Sequence, residues 1–384
     1  MDARRGLLAR RTLLEAGVAA AGGLLPMACT VETRKPAKPE KPPENDVLDE
    51  AFLRFAETGP EYGGGLANHG PMAAEALVCL GRGDAVGKWI DGYERRLAPW
   101  PRSGGRIRRD AWMEALGKSE RSTDWRDFFG EELREASFAV VLERWLPRLG
   151  PGVSGSAAHG LIRVAHAVRA LAQRPTEPRR RELAAALAYS AISFHRLPDD
   201  PGENAKLGIE EAIDRIELVP EERRGGGSIV DRLAPLGETP SFGTAADLLD
   251  LRGDGSAVLS TITRAFARVY RSNAAIPDGR IARLHAVTGA SAMRPLLPHV
   301  SAPVAKALLR YVWQLDAAVY ATHASRTAAP PEIVAFPTSE DLVAAAVASG
   351  DEHAIKFTEV ALRENAIAPD AAYLAAATHW VRLA

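Results

Sequence analysis

The chain has 384 residues, 48 of them basic and 49 acidic, for a formal net charge of −1 at neutral pH. Binding to nucleic acid through phosphates needs a basic surplus that this balance lacks, and runs such as Arg179-Arg180-Arg181 and Arg223-Arg224 read as solvated helix ends and loops. An apolar fraction of 46% and a charged fraction of 25% are those of an ordinary globular chain with a sizeable core.

Three segments follow one another along the sequence. Arg10-Arg11-Thr12-Leu13-Leu14 precedes an apolar stretch from Ala16 to Ala28 that is too short and too weakly hydrophobic for a comfortable membrane span, so residues 1–29 read as a twin-arginine export signal. Leu25-Pro26-Met27-Ala28-Cys29-Thr30 resembles a lipoprotein processing box, with Pro26 standing where an aliphatic residue is usual. Two outcomes stay open: a lipid anchor on Cys29, or cleavage nearby without lipid. Residues 30–46, with Lys-Pro and Pro-Pro steps and few apolar side chains, are expected to form an extended tether. The body then runs over residues 47–384, and the protein is expected to meet the twin-arginine export machinery and to work outside the cytoplasm. Only Cys79 remains in that body to form a disulfide, so its stability must come from the core. A route that exports folded proteins also suits one loaded with metal beforehand.

From Val47 onward apolar residues recur at three- and four-residue spacing. Helices are predicted over Asp124 to Leu149, Ala157 to Gln173, Glu182 to His195, Ala257 to Tyr270, Pro303 to Thr322, Asp341 to Ser349 and Asp351 to Asn365. Clusters such as Pro99-Trp100-Pro101, Pro151-Gly152, Gly225-Gly226-Gly227 and Pro330-Pro331 punctuate them. No run alternates as a strand, and no fixed repeat period is found. The expected fold is all-α: a single multi-helix domain of roughly fifteen helices around a buried histidine-lined cavity.

Four of the nine histidines sit in separate helix-like segments: Asn68-His69-Gly70-Pro71, Ala158-His159-Gly160, Leu284-His285-Ala286 and His353-Ala354-Ile355-Lys356. Neutral imidazole is a versatile ligand for transition metals, and a helix bundle can gather distant residues onto one interior. Each histidine alone is equally compatible with capping a helix or bonding a carbonyl. Pro71 suits a first helical turn, which puts His69 at a helix mouth. Residues 159, 163 and 166 fall at i, i+4 and i+7 among small neighbours, giving a His/Arg/His stripe beside a close-packed neighbour or ligand. Lys356 lies one turn after His353. Buried next to a metal it must be deprotonated, paired with an acid such as Glu359, or converted by carbon dioxide to an anionic carbamate. A plain surface pair between Lys356 and Glu359 fits the spacing as well. Gly63-Gly64-Gly65 lacks the Gly-Lys-Ser/Thr ending of a phosphate loop, and Gly152-Val153-Ser154-Gly155-Ser156 lacks the last glycine of a hydrolase nucleophile elbow.

Together, Asn68-His69-Gly70-Pro71-Met72, His159-Gly160-Leu161-Ile162-Arg163 with His166-Ala167, His285-Ala286-Val287-Thr288-Gly289 and Asp351-Glu352-His353-Ala354-Ile355-Lys356 resemble the questin oxidase-like family over about Phe52 to Thr378. The resemblance implies an oxygenase of aromatic polyketide metabolism that opens a ring of anthraquinone-like substrates. Relatives in that family are described as NADPH-dependent Baeyer-Villiger monooxygenases. This sequence carries no Gly-x-Gly-x-x-Gly for a flavin or nicotinamide nucleotide, and NADPH is not expected outside the cytoplasm. A non-haem Fe(II) site meets both difficulties, with O2 and a small aromatic molecule as substrates. His69, His159, His285 and His353 are the expected iron ligands, with Lys356, carboxylated, as a fifth. Arg163 is expected to steady an anionic substrate oxygen, and His166 or His323 to move a proton. Two other readings stand beside this one: a flavin-free NADPH-dependent monooxygenase, and an exported helical metal- or ligand-binding protein without catalysis.

Overall fold

A computed structural model of the chain describes residues 46–199, 206–239 and 241–384. The proposed export signal, Cys29 and nearly all of the tether lie outside the described residues. All the described residues fall in one contact-connected unit. Its helices are α1 (Val47–Phe55), α2 (Gly70–Cys79), α3 (Gly83–Tyr93), α4 (Ser122–Glu135), α5 (Phe138–Leu149), α6 (His159–Gln173), α7 (Glu177–Ile192) and α8 (Ile209–Arg215). They continue as α9 (Ser241–Ala246), α10 (Gly255–Ser272), α11 (Arg280–Ser291), α12 (Ala302–His323), α13 (Ser339–Ser349), α14 (Glu352–Ile367) and α15 (Ala371–Val381). The one hairpin pairs β1 (Glu61–Tyr62) with β2 (Leu66–Ala67). The described residues are therefore all-α apart from this hairpin, as the periodicity predicts, and no described helix is long and apolar enough to cross a membrane.

Helix ends follow the local chemistry. Thr338 and Asp341 exchange side-chain and backbone hydrogen bonds in a capping box that starts α13, and Gly350, at φ 70°, ends it. Asp351 then caps α14 through the amide of Ala354, which is 2.7 Å away. The continuous helix expected over Asp124 to Leu149 is instead two, α4 and α5, because Ala136 is extended and the Ser137 side chain caps the second. Apolar periodicity carries across such a break, and a single capping serine is a weak signal against it. The helix expected to begin at Ala157 begins at His159, and the one expected from Glu182 begins a turn earlier, at Glu177.

Four helices form a ring at the centre, α2 against α6, α6 against α11, α11 against α14 and α14 against α2. The others pack around them: α1 and α3 on α2, α7 on α6 with α4 behind it, α10 and α12 on α11, and α13 and α15 on α14. Close approach is bought by small residues, since a Cβ on Gly160 would lie 2.7 Å from the Ser190 Cα of α7. At the start of α2, a Cβ on Gly70 would meet the Phe55 ring of α1 at 2.5 Å. An aromatic cluster of Trp125, Phe128, Phe129 and Trp145 lies between α4 and α5.

Candidate metal centre

The central ring of helices brings all four histidines together. His69 is the N-cap of α2, His159 the first residue of α6, His353 the second residue of α14, and His285 lies within α11. Ring centroids of His69 stand 4.6 Å from those of His159 and 4.5 Å from those of His353, and His159 lies 4.4 Å from His285. Nitrogens of His69, His159 and His353 all fall within 4.8 Å of one another. His285 joins through His159.

The backbone sets each ring. Asn68 is clamped by bonds from its amide to the carbonyl of Gly59 at 2.9 Å and the hydroxyl of Thr58 at 3.1 Å, and its carbonyl accepts from the Gly70 amide at 2.9 Å. The His69 amide donates to the Tyr93 hydroxyl at 2.7 Å. His69 makes no side-chain capping bond, so capping does not account for it. Ahead of His159, Ser156, Ala157 and Ala158 take φ values of 46°, 51° and 66° in succession. Left-handed backbone costs a non-glycine residue about 1–2 kcal/mol, and here it turns the Ser156 carbonyl onto His159 Nδ1, which donates to it. His285 Nδ1 donates likewise to the Ile281 carbonyl at 2.8 Å.

Those two bonds fix the tautomers. With Nδ1–H committed to a carbonyl, the neutral ring carries its lone pair on Nε2. The Nε2 atoms of His159 and His285 face each other at 3.0 Å, so two lone pairs meet with no proton of their own between them. His353 Nε2 is buried without a partner. Burial, then the positive charge of Lys356 and the neighbouring imidazoles, hold His69 and His353 well below the ordinary histidine range. His159 is held down by burial, His285 and Lys356, and burial followed by Lys356 takes His285 to about 3. These rings are uncharged near neutral pH. Two nitrogens bound at right angles to one ion, each at about 2.1 Å, would stand about 3.0 Å apart. The residues present therefore fit a metal cation.

Lys356 is 3% exposed, and its Nζ lies 3.0 Å from His69 Nδ1. Burial lowers it to about 8 against the opposing pull of Glu352 and Asp351. A surface pair with Glu359 is overturned. Both residues are buried, and Glu359 bonds Arg169 and Arg363 instead.

Of the three residues expected to serve substrate, none joins the cluster directly. Arg163 gives Nε and Nη2 to Glu182 at 2.6 and 2.9 Å, leaving Nη1 buried without a partner. His166 donates Nδ1–H to Glu75 at 2.6 Å. Positions 159, 163 and 166 share a helix face as predicted, yet they serve three different neighbours, because α6 is ringed by helices along its length. His323, the last residue of α12, lies with Nδ1 2.7 Å from its neighbour Thr322 Oγ1.

Sequence reasoning missed a second polar layer deeper in the same helices. Glu75 also accepts from Arg169 at 2.7 and 2.6 Å, Arg363 bonds Glu359 at 3.0 Å and Glu364 at 2.7 Å, and Arg294 bonds Glu364 at 2.7 Å. Burial alone would raise the Glu75 carboxyl, but Arg169 and His166 outweigh it and hold it well below the usual range. The signal was available: Glu75 is the one charged residue of α2.

No family model matches the chain, and no curated protein matches it.

Proposed function

We propose that the four histidines hold one Fe(II) ion and that the protein is a non-haem iron oxygenase, cleaving a ring of an anthraquinone-like or other polycyclic aromatic substrate with O2. The observation that carries the metal is the 3.0 Å approach of two Nε2 atoms whose Nδ1 atoms are both tied to carbonyls. The choice of iron and of an aromatic substrate comes from the sequence resemblance. Bound iron supplies redox chemistry with dioxygen that no side chain here provides.

The chain's own residues would do the rest. His159 and His285 present Nε2 in a fixed tautomer, and His353 offers an unpartnered Nε2. The bond between Lys356 and His69 has two forms. A protonated lysine donates to Nδ1, whereas an uncharged one accepts from Nδ1–H and leaves the lone pair on Nε2. Only the second form leaves the His69 Nε2 lone pair free for a cation. The four histidines bring no negative charge, and Glu75 and Glu359 are engaged with arginines, so a buried cation would lack a counter-charge. Uncharged Lys356 can supply one: its amine adds to carbon dioxide, forming an N–C bond and releasing a proton, to give a carbamate anion. His323, and the free Nη1 of Arg163, are the groups in reserve for proton transfer and for steadying an anionic oxygen. On the twin-arginine motif the protein acts outside the cytoplasm, whether or not Cys29 carries lipid.

Protein purified without chelator is expected to hold iron stoichiometrically and to consume O2 with a hydroquinone substrate in the absence of NADPH. NADPH-dependent turnover by metal-free protein would favour the monooxygenase reading, and tight metal binding without O2 uptake would favour a binding protein.

A further inference from the structure

A cavity of about 320 Å³, within the size range of small-molecule sites, borders the histidine cluster and is lined in part by Arg232, Arg280, Ile281, His323 and Trp380. None of the four histidines lines it, but two of its lining residues touch the cluster. The Trp380 ring lies 5.8 Å from that of His353, and Ile281 carries the carbonyl that orients His285. Trp380 is held in place by its Nε1–H, which donates at 2.9 Å to Asp351, the cap of the helix that presents His353.

The charges around this cavity are one-sided. Arg232 bonds both oxygens of Asp278 at 2.7 Å, and Asp278 is 67% exposed. Arg280 has no ion pair among the described residues. Its side chain makes one hydrogen bond among the described residues, a 3.4 Å contact to the Ala274 carbonyl, and its Nε is buried without a partner. Among the residues that line the cavity, two guanidiniums, Arg232 and Arg280, therefore stand against one carboxylate, Asp278, which Arg232 already occupies. The arrangement is built into the backbone: Gly279 has φ 67°, and a Cβ there would lie 2.6 Å from His323 Cδ2. The loop that leads to Arg280 can pack on His323 only because residue 279 has no side chain.

We infer that this cavity binds an aromatic acid, with the fused rings against Trp380 and Ile281 and the acidic oxygen, carboxylate or ionised phenol, on Arg280. An unpaired guanidinium at the edge of a partly apolar cavity recognises such an oxygen by charge-assisted hydrogen bonds. That the bound acid is the substrate rests on the oxygenase reading. The binding itself does not.

Calorimetric titration of the protein, metal-free and iron-loaded, with 2-naphthoate and with its neutral amide 2-naphthamide tests the inference. The acid is expected to bind about tenfold more tightly than the amide, the worth of one charge-assisted contact. Arg280→Gln is expected to erase that preference while leaving amide affinity unchanged, and Arg280→Lys to keep most of it. Equal affinities for acid and amide, an unaltered preference in Arg280→Gln, or no binding of 2-naphthoate at millimolar concentration would overturn the inference. Failure of the oxygenase reading looks different: 2-naphthoate binds with the expected preference, yet iron-dependent O2 uptake is absent across aromatic acids.

Discussion

In the layer of Glu75, His166, Arg169, Glu359, Arg363 and Glu364, buried charges meet their opposites at hydrogen-bond distance. Six to eleven residues away along the same helices, about 9–17 Å, His69, His159, His285 and His353 meet only uncharged groups, one another and Lys356. In the paired layer each charge has an opposite charge beside it, with only Glu359 Oε2 left without a hydrogen bond, and the layer reads as a tie between helices. The histidine layer is left with lone pairs facing lone pairs, which a protein does not maintain for packing. The difference between a charge-paired polar layer and one whose lone pairs face each other separates a structural network from a site, even where both are equally buried.

Breaking each layer in turn should produce opposite results. His159→Ala or His353→Ala should abolish metal retention, measured as metal per chain, while urea denaturation of the metal-free protein shows little loss of stability. Glu75→Ala should do the reverse. It leaves His166 without its carboxylate and Arg169 with Glu359 alone, which for a broken buried ion pair costs about 3–5 kcal/mol in the same denaturation experiment, and metal content per folded chain should stay unchanged.

Acid should separate the buried histidines from the paired carboxylates. The unfolded histidine value is 6.5, and burial takes His285 to about 3 and His323 to about 4. Above pH 6.5 neither state binds a proton there, and this stability is fully present. As pH falls from 6.5 toward those values, the unfolded chain takes up protons that the folded chain refuses, so metal-free protein should lose about 1.4 kcal/mol per pH unit for each such histidine. Glu75 is depressed instead, so its contribution is fully present above 4.5 and is lost only below it. Unfolding midpoints against pH should therefore bend first near 6.5, and in Glu75→Gln the later bend should shrink. The smallest effect concerns the strained turn before His159. Ser156→Gly should stabilise the protein by about 1 kcal/mol with metal affinity unchanged, since the carbonyl that orients His159 belongs to the backbone.

The helices were legible because their apolar faces repeat over several turns, and so was His69 at a helix mouth, because Pro71 fixes the first turn of α2. The four histidines could be grouped by their shared texture of small apolar neighbours. Their mutual approach could not be read, since it depends on the ring of α2, α6, α11 and α14, which no local pattern encodes. Arg163 and His166 show the same limit: spacing put them on one helix face with His159, but which neighbour each meets is decided by α7 and α2. The left-handed turn at Ser156, Ala157 and Ala158 had no signal at all, because no glycine marks those three positions.

The most direct test of the central claim is X-ray absorption at the iron edge of protein loaded anaerobically with Fe(II). The account predicts one ion per chain with histidine nitrogens in its first shell at about 2.0–2.2 Å and a loss of imidazole scattering in His159→Ala. Iron bound only by oxygen ligands, or an unchanged spectrum in that variant, would contradict it.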